Sequence, residues 1–361
     1  MKVLIIQVGT PEEQENYPLE KLIREPTLTH GTKLFRHHSI VNNVQTRESL
    51  KMAGVHIDYI YFTERKNPIN CFKASLRLRK MVKQNGYDLV NQYWGGLSSL
   101  FASFFCPCPY VLSLMGSDLY GQYKSNGTKT WKGRMLCFFS QLTCFFATGV
   151  IVMSENMKRK LWTIARKKAI VIPEGISSGV FYPIDSEIAR RHLSWDDNQL
   201  KILFFPSIAY VKNTPLAQAA FKKTKEILPS VDLFLAKDIP HAELVWYYNA
   251  ADVLLLTSYH EGSNNSLKEA LACNLPIVTV NVGDATERLE NVYPSEVVKS
   301  HDAQDLAEKM VKILEERKRS NGSLIIPEVE LGNVALRIVA FYKSLLKQPK
   351  AKQQPVNNLV K

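Results

Sequence analysis

The chain has 361 residues, of which 45% are hydrophobic and 22% charged, a composition typical of a soluble globular protein. No internal repeat is visible, which argues against a solenoid, and the length favours two domains. The opening MKVLIIQVG is too short an apolar run for a signal peptide, and the six cysteines lack zinc-site spacing. We therefore expect a cytoplasmic protein with free thiols.

The charge of the chain is unevenly distributed. Residues 1–170 carry 24 Lys and Arg against 11 Asp and Glu, whereas residues 171–345 carry 18 against 23, within a net charge of +12. A basic half can meet nucleic acid, anionic lipid or anionic substrates. The aromatic residues are not interleaved with arginines in a nucleic-acid motif. We therefore expect no nucleic-acid partner, and a membrane surface or a phosphorylated acceptor instead.

In the first half of the chain, short apolar runs alternate with helical patterns. This alternation predicts a parallel sheet wound on both faces. The long apolar stretch 135–153 is interrupted by polar residues, so we interpret it as a buried helix, a turn at Gly149 and a core strand rather than a membrane span. The predicted strands are 2–8, 57–62, 88–94, 110–115, 149–153 and 169–173, with helices that include 71–84 and 155–165.

The same pattern restarts in the second half of the chain. Two such units in tandem form a cleft, and ligands of these sheets bind beyond the carboxyl ends of the strands. The predicted strands are 202–207, 231–236, 253–258 and 276–282, and the predicted helices are 214–226, 240–250, 264–273, 303–318 and 333–347.

The loop after strand 253–258 has the strongest chemical signal. Small polar residues and a glycine precede a helix, whose free N–H groups and dipole favour an anion such as a diphosphate. Glu261 and Glu269, with seven residues between them, can both face the cleft. Two plainer alternatives stay open: Glu269 completes a capping box with Ser266, and Glu261 is a solvated loop residue.

This segment, E-G-S-N-N-S-L-K-E-A-L-A-C-N-L-P-I-V, resembles the signature of retaining glycosyltransferase family 4. The family has the GT-B fold, an α/β architecture of two Rossmann-like doubly wound domains facing a central cleft. Segments 172–185, 202–221, 282–287 and 110–121 are similar to further family motifs. The match is looser in the first half of the chain.

The resemblance implies a role for each site residue. Glu269 would bind the donor ribose, Glu261 would lie against the transferred sugar, and Lys212 would neutralise the phosphates. Considered without the family context, Lys212 is more simply a surface lysine. Glu261, Lys212 and Asp118 would be the catalytic residues. Donor binding would also involve Ser207, Gly262, Ser263, Asn264, Asn265 and Ser266, with no metal and no cofactor.

Several positions depart from the family pattern. Ser207 stands where the family has an arginine, and Met115 stands where it often has a histidine. Asp118 then remains as the polar group of that loop facing the cleft, although Asp is equally common as a helix cap or turn residue. Glu174 replaces an expected asparagine, and Gly31 is carried over as part of a reduced glycine loop.

The resemblance also divides the chain. Residues 1–178 would form an acceptor-binding domain and residues 179–332 a nucleotide-sugar-binding domain. Residues 333–347 would form a helix that packs back on the first domain, and residues 348–361 a disordered tail.

The expected function is retaining, metal-independent transfer of a hexose from a UDP or GDP donor to a lipid-linked or polysaccharide acceptor for the cell surface. The reaction would occur in the cytoplasm, at the inner face of the membrane. An alternative is a catalytically weakened GT-B protein that acts as a nucleotide-binding or scaffold module. A sugar-nucleotide epimerase of similar fold lacks the paired-glutamate signature.

Overall fold

The structure is a computed structural model that describes residues 1–8, 46–62, 67–207 and 210–347. Gly31 and the predicted tail 348–361 lie outside the described residues. In the first unit, six parallel strands pair in the order β2-β1-β3-β4-β5-β6. These strands are β1 Lys2–Val8, β2 His56–Phe62, β3 Leu89–Tyr93, β4 Tyr110–Ser113, β5 Gly149–Val152 and β6 Ala169–Val171.

The helices between these strands follow local capping rules. For example, α1 begins after Asn67, whose side chain accepts the amide of Ile69 at 2.9 Å, and ends at the left-handed Gly86. The predicted helix 155–165 is two helices, divided at Leu161 and Trp162. The helices are α1 Pro68–Asn85, α2 Leu97–Phe105, α3 Ser117–Tyr120, α4 Trp131–Phe146, α5 Glu155–Lys160 and α6 Thr163–Lys167.

The long apolar stretch 135–153 forms the end of α4 and then β5, as predicted. The hydroxyls of Ser140 and Thr143 each donate a hydrogen bond of 2.8 Å to a carbonyl one turn earlier in the helix. These polar groups are therefore satisfied inside the domain. Within the described ranges, no helix combines the length and the apolar character needed to cross a bilayer.

The second unit is a five-stranded parallel sheet in the order β11-β10-β9-β7-β8. Its edge strand β11 was not predicted, because it is only three residues long and includes Glu296. The strands are β7 Leu200–Phe204, β8 Val231–Leu235, β9 Val253–Leu256, β10 Ile277–Val280 and β11 Glu296–Val298. The helices are α7 Ser186–Leu193, α8 Thr214–Ile227, α9 Leu244–Ala250, α10 Asn265–Ala272, α11 Ala285–Leu289, α12 Ala303–Glu316 and α13 Leu331–Lys347.

The last helix, α13, packs on the first sheet although it follows the second in sequence. Its buried apolar side chains join the core of the first unit, and the Tyr342 hydroxyl accepts the Asn91 amide at 2.7 Å. Gly149 leaves room for this helix, since a Cβ there would lie 2.7 Å from the Phe341 ring. The chain therefore crosses between the units twice. The predicted fold class, two doubly wound Rossmann-like domains facing a cleft, is confirmed.

Candidate active site

The paired-glutamate loop connects β9 to α10. Asn264 caps the helix, because its side-chain oxygen accepts the amide of Leu267 at 3.4 Å. The capping box between Ser266 and Glu269 is wrong: the N-cap is Asn264, two residues before Ser266, and the Glu269 carboxylate contacts His241 and Tyr248 instead. The free N–H groups in the first turn of α10 therefore face the loop that contains Glu261 and Gly262.

Lys212 and Glu261 form the central ion pair of the site. The Lys212 Nζ donates to Glu261 Oε1 at 2.7 Å, and both side chains are mostly buried, at 15% and 17% exposure. Ser258 donates to the same oxygen at 2.7 Å, and the Asn264 amide is 3.4 Å away. The plain interpretations, a solvated Glu261 and a surface Lys212, therefore do not describe this pair.

Glu269 lies deeper in the second domain and is 1% exposed. One carboxylate oxygen is 3.0 Å from His241 Nε2, and the other accepts the Tyr248 hydroxyl at 2.8 Å. Burial and the neighbouring Glu269 raise the pKa of the Tyr248 hydroxyl well above its usual range, and a hydrogen bond with Ser266 opposes this rise.

The residues behind the loop are linked to the segment between the domains. Asn265 donates to Glu174 at 2.9 Å, and the buried Lys268 donates to the Glu174 carbonyl at 2.6 Å. Glu174, which stands in place of the expected asparagine, therefore holds α10 from the connecting segment. Burial lowers the pKa of Lys268, although Asp284 and Glu174 oppose this effect.

Two glycines allow the loops of the two domains to meet. A Cβ on Gly262 would lie 2.9 Å from the Met115 carbonyl, and one on Gly116 would lie 3.4 Å from the Gly262 nitrogen. Gly116 also has φ 123°, a value that favours glycine. Asn156 adds a further link by donating to the Gly283 carbonyl at 2.5 Å. The cleft is therefore narrow at Gly262.

Asp118 does not face the cleft, and the expectation that it does is wrong. Its side chain is fully buried, and its carboxylate accepts the amides of Gly95, Met115 and Gly116 at 2.9–3.1 Å. Burial raises the pKa of Asp118, and these amides oppose that rise. The residue shapes the Met115–Gly116 loop that touches Gly262, so it positions the site instead of contacting a ligand.

His260, on the paired-glutamate loop of the second domain, lies against two aromatic rings of the first domain. It stacks on Tyr120 with ring centroids 4.8 Å apart and lies 5.1 Å from Tyr123. Burial lowers its pKa, Glu261 opposes this effect, and Lys129, Lys160 and Lys212 reinforce it. Lys129 and Lys160 of the first domain lie 5.5 Å and 5.6 Å from the Tyr123 and Tyr120 rings, measured from Nζ to the ring centroid. Two buried polar atoms of the loop, His260 Nε2 and Asn265 Oδ1, lack a hydrogen-bond partner among the described residues.

Ser263 and Ser207 are the remaining residues predicted to bind the sugar donor. Ser263 donates to Asp284 at 2.9 Å, and Asp284 also accepts Arg288 at 3.1 Å. Ser207 follows β7, and its carbonyl accepts the Thr214 hydroxyl at 3.2 Å. The structure thus brings Ser207, Lys212, Glu261 and the 262–266 loop to the carboxyl ends of β7 and β9.

The sequence analysis missed His241 and Tyr248, the two partners of Glu269. They are seven residues apart in a helical segment, which places them on one helix face, and that spacing was the available signal. In the part of the chain that the structure describes, no three His, Cys, Asp or Glu residues are grouped as metal ligands would be.

Two family models match the chain in tandem. The description "Glycosyltransferase Family 4" matches residues 33–179, and "Glycosyl transferases group 1" matches residues 228–322. The first covers most of the amino-terminal domain, and the second includes the paired-glutamate loop.

Relatives with named activities are distant. A Campylobacter jejuni N,N'-diacetylbacillosaminyl-diphospho-undecaprenol alpha-1,3-N-acetylgalactosaminyltransferase is 24% identical over 310 residues, which are 77% of this chain and 82% of the relative. The capsular polysaccharide biosynthesis glycosyltransferase CapM of Staphylococcus aureus is 25% identical over 217 residues, 52% of this chain and 57% of CapM.

Solved structures share the fold over nearly the whole chain. Sucrose-phosphate synthase from Thermosynechococcus elongatus superposes with a TM-score of 0.71 at 17% identity, covering 95% of this chain and 98% of that one. HepE of Anabaena in complex with UDP gives a TM-score of 0.61 at 16% identity, covering 95% and 100%. At these identities the similarity establishes the fold alone.

Proposed function

The chain belongs to the group 1 and family 4 glycosyltransferases, and we propose that it transfers a hexose with retention from a UDP or GDP donor. The proposed acceptor is a lipid-linked or polymeric saccharide for the cell surface, and the proposed location is the cytoplasmic side of a membrane. The named relatives support this acceptor class, because one is a diphospho-undecaprenol glycosyltransferase and another acts in capsule biosynthesis.

One observation carries the proposal: the 2.7 Å pair between Lys212 and Glu261 at the opening of α10. A donor diphosphate at the helix start would bring negative charge to Lys212 and compete with Glu261 for it. Glu261 would then be released toward the hydroxyls of the transferred sugar. The two members of the ion pair would thus make two separate ligand contacts.

The chemistry proposed is stabilisation of a leaving group. Glycosyl transfer passes through an oxocarbenium-like transition state, with negative charge growing on the departing diphosphate. Lys212 and the amides at the start of α10 are held in position before reaction, so they can stabilise that charge without reorganisation. We propose that no metal ion or cofactor is required.

The arginine missing at Ser207 leaves a deficit of one cation in this scheme. Lys129 and Lys160 of the first domain lie over the Tyr123 and Tyr120 rings, which in turn contact His260. We propose that they compensate for the arginine from the opposite wall of the cleft. Glu269 would accept the ribose hydroxyls, with His241 and Tyr248 fixing its orientation.

The test is a panel of UDP- and GDP-hexoses with a lipid-linked saccharide acceptor, followed by detection of released nucleotide and by NMR of the product anomer. Retained configuration at the anomeric carbon is expected. Inverted configuration would refute the retaining mechanism. Tight nucleotide binding without transfer from any donor would favour the nucleotide-binding or scaffold alternative.

A further inference from the structure

We propose that one surface of the first domain docks on an anionic lipid bilayer and inserts aromatic side chains into it. This surface, called the aromatic face below, is the solvent side of helices α1, α2, α4 and α6. The inference deepens the proposed function, because it names the surface that would bring the enzyme to a lipid-linked acceptor.

The four helices form one continuous layer. Helix α1 packs on α2, α2 packs on α4, and α4 packs on α6. Their inner sides supply buried residues such as Leu78, Ala102 and Cys144 to the core of the first domain. The outer sides therefore constitute a single surface rather than four separate ones.

Large apolar side chains cover much of this surface. Trp131 is 73% exposed and Phe104 is 60% exposed. Side chains with so much exposed area contribute little to the stability of the domain core. Such a concentration is unusual on a soluble monomer and indicates an interaction site. The other exposed members are Ile69, Phe72, Leu76, Phe138, Phe145, Phe146, Trp162 and Ile164.

The aromatic side chains contact one another across the helices. Phe105 of α2 lies 5.3 Å from Phe72 of α1 and 5.1 Å from Phe104, measured between ring centroids. Phe104 in turn lies 5.8 Å from Phe146 of α4. The apolar area is therefore contiguous from α1 to α4.

The charge of the same helices identifies the partner. The four helices contain nine Lys and Arg residues and no Asp or Glu, and all nine are exposed. A partner that accepts exposed aromatic rings together with so many cations must be apolar inside and anionic at its surface. An anionic bilayer has both properties, and Trp, Phe, Lys and Arg are the residues that favour its interface. The basic residues are Lys73, Arg77, Arg79, Lys80, Lys83, Lys132, Arg134, Arg166 and Lys167.

The experiment is flotation of the full chain with vesicles of phosphatidylcholine, alone or mixed with phosphatidylglycerol, at low and high salt. Binding to the mixed vesicles is expected to weaken with salt, since the Debye length at physiological ionic strength is about 8 Å. Part of the binding should persist at high salt, because aromatic insertion is not screened. No sugar donor is present, so the result does not depend on the proposed transfer activity.

Two double variants test the two components separately. Phe104→Ser with Phe145→Ser removes exposed rings, and Lys73→Glu with Arg77→Glu reverses charge on α1. Each is expected to weaken partition into mixed vesicles by about tenfold or more, because the first removes apolar side chains that insert and the second repels the anionic surface. Transfer to a water-soluble saccharide acceptor should be unchanged in both.

Matched variants of the second domain are the controls. Ile227→Ser with Leu324→Ser removes side chains that are 51% and 75% exposed, and Lys222→Glu with Lys237→Glu reverses two exposed lysines. The apolar pair should leave partition unchanged, and the charge pair should reduce it far less than the α1 pair. Dibromo-lipid quenching of tryptophan fluorescence, lost in part with Trp131→Phe, would report insertion directly in the wild-type chain.

Three results would overturn the proposal. The first is wild-type binding that is equal on neutral and anionic vesicles. The second is an aromatic double variant that binds as its control does, with no quenching by brominated lipid. The third is the absence of vesicle binding together with a dimer in analytical ultracentrifugation that the Phe104 and Phe145 double variant abolishes. In that case a second copy of the chain would cover the aromatic face.

Discussion

The two domains carry their charged side chains in opposite ways. At the cleft of the second domain, acids and bases pair with each other at short range, as Lys212 does with Glu261 and Arg288 with Asp284. On the aromatic face of the first domain, nine basic residues share four helices that contain no acid. Pairs within the domain define a small site, where a bound ligand would replace one member of a pair as the partner of the other. Charge of one sign defines an extended surface that attracts a partner of the opposite charge.

The largest expected effect comes from breaking the central pair of the second domain. Glu261→Ala should lower turnover about tenfold or more, because one lost transition-state contact is worth on the order of 1.4 kcal/mol or above. Lys212→Ala should lower turnover more than donor affinity, since Lys212 faces charge that grows during reaction. Steady-state kinetics with the correct donor provides the measurement.

Loss of an ion pair elsewhere in the same domain is the control for this prediction. Lys201 pairs with Asp232 at 2.9 Å between β7 and β8, and Lys201→Ala should leave turnover unchanged. If Glu261→Ala and Lys212→Ala both stay folded and retain wild-type transfer, the paired-glutamate loop is not the catalytic site.

A smaller effect is expected at Glu269, which is itself buried. Glu269→Gln keeps the shape of the side chain but weakens its acceptor strength, so it should raise the donor Michaelis constant several-fold with little change in turnover. Tyr248→Phe removes one hydrogen bond to Glu269 and should cost about 1 kcal/mol of unfolding free energy. Kinetics and denaturant unfolding, measured on both variants, separate binding from stability. A fall in turnover without a change in the Michaelis constant would contradict the ribose role.

The pH dependence of stability should include a contribution from His260, which lies at the contact between the domains. Burial lowers the pKa of this side chain, so the folded protein binds its proton less readily than the unfolded chain does. Its contribution is therefore fully present above about pH 6.5, the unfolded value, and is lost as pH falls through the lower folded pKa. Thermal unfolding should show a smaller drop between neutral and mildly acidic pH in His260→Phe, which keeps the stacking on Tyr120. An identical drop in both proteins would show that His260 titrates as it does when unfolded.

The substitution Ser207→Arg tests whether the first domain supplies the missing cation. Because Lys129, Lys160 and Lys212 already act on His260, the added arginine should change donor affinity by less than about threefold, roughly 0.6 kcal/mol. Isothermal titration with the correct nucleoside diphosphate provides the measurement, with Lys160→Ala as its partner variant. Clear tightening in Ser207→Arg, together with no loss in Lys160→Ala, would refute compensation across the cleft.

No effect at all is expected from removal of divalent metal. Transfer measured in excess chelator should equal transfer in untreated enzyme, since Lys212 and the helix amides would balance the diphosphate charge. A near-total loss that magnesium or manganese restores would refute the metal-independent mechanism.

Much of the fold and part of the site could be predicted from local patterns. The alternation of strands and helices, the break in the stretch 135–153, and the loop that brings Glu261 to the start of α10 all depend on neighbouring residues. Such features follow from periodicity, capping and turn chemistry, which act over a few positions. The short edge strand β11 was missed, because three residues carry little periodic signal.

Contacts between distant residues were decided only by the tertiary structure. The partners of Glu269 are 21 and 28 residues away, and the amide of Gly95 that turns Asp118 inward is 23 residues away. The approach of Gly262 to Met115 joins two domains, and the aromatic face joins side chains of four helices. By itself, the sequence determined which residue types are available, since it records composition and spacing. Folding determined which of them face one another, because burial and close packing act between segments far apart along the chain.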